Sequence, residues 1–83
     1  MITIRDRVRI ATLTGDGGDH LILPMAERAP RVGDVGTVVD VAARLGGTGS
    51  HYTVCSSHAD GRVLWLAVFA AHELELVAHG ESP

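Results

Sequence analysis

One cysteine, no lysine and no long apolar run set the first limits on this chain of 83 residues. With Cys55 alone, no internal disulfide can form, so bridges cannot supply the stability. No stretch approaches the ~20 apolar residues of a membrane-spanning helix. The opening MITIRDRVRI also lacks the apolar core of a secretory leader. These absences predict a protein of the reducing cytoplasm, with no membrane as partner. Its basic residues are seven arginines set against ten acids, for a formal net charge of -3. Proteins that bind by neutralising phosphates need the opposite balance, which counts against nucleic acid. There is no internal repeat and no linker. A length of 83 residues reads as one small domain, with a marginal core and little room for an enclosed active site.

What is present is a globular mixture, 46% hydrophobic and 20% charged, laid out as short strands punctuated by glycine. DRVRI, Asp6 to Ile10, alternates Arg7 and Arg9 with Val8 and Ile10, the period of a half-buried strand. From Thr14 to Arg31 the pattern breaks. Gly15, Gly17 and Gly18 permit positive φ, and Pro24 and Pro30 cannot donate to a ladder. A long loop is predicted there, with a short strand at Leu21 to Leu23. RVGD then supplies a turn in which Gly33 is free to go left-handed, and VGTVVDV follows as a second strand. Its valines do not alternate cleanly. Val39 and Val41 fall on one face and Val38 on the other, as in a strand that bends to serve two sheets, and Gly36 is expected to carry the bend or bulge. RLGGTGS predicts a flexible turn, HYTVCS a third strand, SHADGR a turn and RVLWLAVF a fourth strand apolar on both faces. AAHE suits one 3₁₀ turn and LELV a last short strand. The fold expected is all-β, a small five-stranded SH3-like barrel over residues 1–78 with a 3₁₀ turn before the last strand and a flexible tail at 79–83. Val8, Ile10, Val39, Val54 and Leu76 are its expected core.

DRVR, HLILP at His20 to Pro24, GDVGTVVDV, YTV at Tyr52 to Val54, LW at Leu64 and Trp65, and HELEL run in the same order as in the carboxy-terminal domain of nitrile hydratase β subunits. Over residues 5 to 78 the chain resembles that SH3-like barrel. Similar barrels occur in the SH3-type subunit of photosystem I and in the variable chain of ferredoxin–thioredoxin reductase, which are accessory surfaces on larger assemblies. The resemblance implies a partner subunit. In nitrile hydratases the metal sits on the α subunit in a C-x-x-C-S-C cluster; VCSSH, with one Cys, is not that cluster, so no metal site carries over. The β type has an arginine in its H-T-R-L-P stretch where this chain has Ile22, which leaves Arg28 or Arg31 to take a similar part. The helical amino-terminal part of such a subunit has no counterpart here, so a complete enzyme subunit is not expected. GDVGTVV also resembles the core of KOW-type barrels, but those carry a basic face. Type II dihydrofolate reductase is another SH3-like precedent, yet its Gln-Ile-Tyr motif has no match in VLWLAVF.

The residues with chemistry of their own are few. His51, Cys55 and His58 spell H-x₃-C-x₂-H, with His51 and Cys55 on one strand face and His58 in the next turn, so three ligands could gather round Zn²⁺ or Co²⁺. A structural zinc site wants four ligands in paired units, so the expectation is a buried Cys, two surface histidines and no metal or other cofactor. His72 and Glu73 stand together, without a nucleophile or second carboxylate to complete acid–base chemistry. Trp65 is expected in the core, given the area an indole buries. The role predicted is a non-catalytic accessory or protein-interaction barrel, bound to another subunit such as a nitrile hydratase α-like chain, or to a second copy of itself. The alternatives are a nitrile-hydratase-related subunit or activator and a KOW-like nucleic-acid-binding barrel. Contact is placed on the long loop and its flank, at His20, Leu21, Leu23, Met25, Arg28 and Arg31, where apolar LILPM meets charged ERAPR.

Overall fold

The computed structural model of the chain describes residues 2–14, 26–43 and 50–80. Within them run β1 (Arg7–Ile10), β2 (Val35–Ala43), β3 (Ser50–Ser57), β4 (Val63–Ala70), a 3₁₀ turn (Ala71–Glu73) and β5 (Leu74–Ala78). All pairings are antiparallel, in the sheet order β4-β3-β2-β1-β5. The fold is all-β, with the strand order of a small SH3-like barrel, and among the described residues the ladder is open between β4 and β5. The strand expected at Leu21 to Leu23 lies outside the described residues, as does the glycine-rich turn before Ser50. No helix of the described residues is long and apolar enough to cross a membrane.

The longest strand, β2, explains how so short a chain curls. Val35 to Thr37 pair with β1, and from Thr37 onward the strand pairs with β3. Gly36 sits at the crossing, where a Cβ would come within 2.7 Å of Val54 Cγ1 and 2.9 Å of the Cys55 carbonyl oxygen. Glycine is required there by the closeness of β3. The bulge expected at Gly36 falls instead at Val39. Register with β3 steps from Val38 opposite Val54 to Asp40 opposite Thr53, which leaves Val39 without a partner. That extra residue resets which side chains face inward. Val39 is therefore no core residue: it is 49% exposed, whereas Val38 is fully buried. Leu76, also expected in the core, is half-buried.

The core consists of Val8, Ile10, Val38, Tyr52, Val54, Trp65, Ala67, Phe69 and Leu74. Trp65 and Phe69 lie two turns of the pleat apart on the inner face of β4 and meet edge to face, with ring centroids 5.8 Å apart. Leu64, Leu66 and Val68 on the outer face of the same strand are half-buried, which is why β4 reads as apolar throughout. Its outer edge is held at both ends. At one, the Glu27 and Arg28 N–H groups donate to the Leu64 carbonyl (2.9 and 3.2 Å). At the other, the Ala70 N–H donates to the carboxylate of Glu73, which is fully buried (2.9 Å). Glu73 Oε2 also accepts from the Thr14 N–H, and its backbone carbonyl accepts from Ala11. Beyond β5, the Gly80 N–H donates to buried Asp6 (2.8 Å).

Candidate functional site

Trp65 brings a polar N–H into the core, and a buried indole N–H needs an acceptor. Asp34 provides it, with Nε1 to Oδ2 at 2.9 Å. The same carboxylate takes both arms of Arg28 (2.7 and 3.0 Å) and the Arg31 backbone N–H (3.0 Å). A two-pronged guanidinium pair of this kind fixes orientation as well as charge. Arg28 first, then the Arg31 and Trp65 N–H groups, hold the Asp34 carboxyl below its ordinary value, against the effect of its desolvation. Asp34 in turn raises Arg28.

This clamp fixes a turn. The Asp34 N–H donates back to the Arg31 carbonyl (3.0 Å), Gly33 takes φ +94°, and the Gly33 N–H donates to Ile10 (2.8 Å). Positive φ at the third position is the requirement of a type II turn, which only glycine meets without strain. Val32 is left at the tip with 60% of its surface exposed, beside exposed Arg31. Of the contact residues expected from sequence, Arg28 and Arg31 belong to this structure. Arg28 is committed to Asp34 and only Arg31 faces solvent. His20, Leu21, Leu23 and Met25 lie outside the described residues. Asp34 was missed, although a single tryptophan on a buried strand signals that a nearby acceptor must exist.

The three residues of the H-x₃-C-x₂-H pattern, His51, Cys55 and His58, are not gathered at one point. His58 Nε2 lies 2.9 Å from Glu27 Oε2, in a cluster where Arg62 Nε donates to Asp60 (2.8 Å). The hydrogen bond from His58 is the main reason the Glu27 carboxyl lies below its ordinary value. His51 is flanked across the sheet by Ala42 and Ala70, and its Nε2 is buried with no hydrogen-bond partner among the described residues. Cys55 is half-buried rather than buried. Among the described residues no group of three His, Cys, Asp or Glu side chains is placed to hold a metal ion. His72 Nε2 lies 3.2 Å from the Thr14 hydroxyl, and Glu73 is occupied by backbone donors, so the pair joins the end of β1 to the 3₁₀ turn.

No protein-family model, curated protein or solved structure matches this chain.

Proposed function

We propose that this chain is a non-catalytic interaction barrel that joins a partner protein, with the turn around Val32 as the centre of contact. The observation that carries the reading is an apolar side chain held out into solvent by a turn that four hydrogen bonds to Asp34 make rigid. Ordering a loop on binding opposes association, and a contact already held in place has little left to order. Arg31 beside Val32 supplies a polar rim. Arg9, Arg28 and Arg62 are paired with Glu75, Asp34 and Asp60, which weakens a reading based on phosphate binding. The resemblance to nitrile hydratase β barrels names a metal-bearing α-type chain as the first partner to test, and a second copy of this chain as the next.

The test is the mass of the assembly purified from its own cells. Wild type is expected well above the 8.7 kDa of one chain. The Val32→Asp variant, with an unchanged unfolding midpoint, is expected to run as a free monomer. A wild-type protein that is monomeric and alone would refute the reading.

A further inference from the structure

At the opposite end of β1 from the Val32 turn, the chain folds into a second turn. The Asp6 N–H donates to the Thr3 carbonyl (3.1 Å), and the Thr3 N–H donates to Asp6 Oδ2 (2.9 Å). The Arg5 N–H donates to the Val38 carbonyl (2.7 Å), and the Val38 N–H donates back to the Asp6 carbonyl (2.9 Å). Arg5 and Asp6 thus face a single residue of β2, the bonding of a bulge whose first position is left-handed and normally glycine. Arg5 holds that position at φ +77°. An arginine kept where glycine would sit without strain points to a use for its side chain.

The antiparallel pairing sets out a row of residues through this bulge. Arg7 lies opposite Thr37, and Arg5 follows against Val38. One residue further along in both segments come Ile4 and Val39, 51% and 49% exposed. Asp40 ends the row and is exposed, as are Arg5 and Arg7. The order along the surface is therefore positive, apolar, negative. Among the described residues Arg5, Arg7 and Asp40 enter no ion pair, whereas Arg9, Arg28 and Arg62 are each paired.

We propose that this row is a self-complementary contact at which a second copy of the chain docks, with Ile4 and Val39 meeting the same pair on the other copy. A two-fold axis through the apolar pair exchanges the two ends of the row, which sets Asp40 of each copy against Arg5 and Arg7 of the other. An apolar centre with a charged rim is the composition of a protein interface. The order of the charges selects the occupant: a partner surface of one sign would meet a like charge at one end of the row, whereas a second copy meets the opposite charge at both. Two apolar side chains from each copy make a small contact, so the association is weak and forms at high concentration. It is separate from the Val32 contact and does not depend on it.

Two variants of the full chain test the exchange of charges: Asp40→Arg makes the row wholly positive, and Arg5→Glu with Arg7→Glu makes it wholly negative. All chains also carry Val32→Asp, so that the outcome is independent of the Val32 contact, and their masses are followed by sedimentation equilibrium from micromolar to millimolar chain. With the native row, the mass is expected to rise from that of one chain toward twice that value. Each charge variant alone should associate about tenfold more weakly or worse, since like charges then face each other. An equimolar mixture of the two should recover the association as a mixed dimer, because both ends of the row again meet opposite charge. If either charge variant fails to fold, NMR of the chain with the native row decides: the Ile4 and Val39 methyl signals should shift with chain concentration, and less so in added salt. A mass that stays at one chain over the whole range, a mixture no more associated than its parts, or methyl signals that do not move would overturn the proposal.

Discussion

Val38 and Val39 carry the same side chain and meet opposite fates. Counting by twos along β2 places Val39 with Val41 on the inner face. A single unpaired residue in the ladder reverses that assignment, and nothing in a run of two valines announces where the extra residue falls. Val38→Asp is therefore expected to bury an unpaired carboxylate and unfold the domain, whereas Val39→Asp should leave the unfolding midpoint within a few degrees of wild type. Circular dichroism melts of the two variants decide between the bulge at Val39 and simple alternation. Asp34 offers a second comparison. Replacing it with Asn keeps the shape but removes the charge that accepts from Arg28, Arg31 and Trp65. A loss of about 2 kcal/mol is expected for such charged hydrogen bonds, which in a domain of this size is a fall of about 10 °C in Tm. Differential scanning calorimetry would show it, and an unchanged Tm would mean the clamp contributes nothing.

At the scale of elements, the strand pattern was legible where a strand carries a clean period and its turn a glycine. Arg7 to Ile10 and His51 to Ser56 alternate, and Gly33 and Gly61 take the positive φ their turns require. The 3₁₀ turn at Ala71–Glu73 was legible for a different reason, since AAHE is too short for an α-helix. What did not show was how elements are tied together. Glu73 reads as half of a His-Glu pair, but it is fully buried, and its carboxylate accepts from the Thr14 N–H, 59 positions away in the chain, as well as from Ala70. Gly36 was singled out for a bend or bulge; the bulge lies at Val39, and the closeness of β3 requires glycine at position 36. Gly36→Ala should push a methyl into Val54 and the Cys55 carbonyl and cost about 1–3 kcal/mol, as overpacking does. Chemical denaturation with an unchanged m-value would record it. A neutral effect would mean that β3 can give way at this point. The ends of β4 show a related economy of form, because Glu27, Arg28 and Glu73 occupy edge groups that would otherwise be open to strand pairing with another chain.

Across the whole molecule, the excess of acids over arginines serves the interior as well as the surface. Asp6, Asp34 and Glu73 each accept backbone N–H groups that close a turn or fasten a chain end, so net charge alone was a poor guide to the surface available for binding. The same acids set the response to pH. The Gly80 and Thr3 N–H groups lower Asp6 below its ordinary 3.8, and Arg28 foremost lowers Asp34. A carboxylate whose folded pKa is depressed contributes stability above its unfolded value, and that contribution is lost as pH falls through the folded one. Stability should therefore hold from neutrality to about pH 5 and decline below about pH 4, with a shallower decline in Asp34→Asn. Urea midpoints measured across that range check the sign, and a midpoint rising on acidification would contradict it.

The interaction reading rests on the rigid exposed turn, and site-specific crosslinking in the chain's own cells tests it most directly. A photoreactive p-benzoylphenylalanine is placed at Val32 and, in a second chain, at the exposed Glu75 of β5. The account predicts that position 32 captures one protein species, either a partner subunit or another copy of this chain, while position 75 does not. Equal and scattered crosslinks from the two positions, or none from position 32, would contradict it.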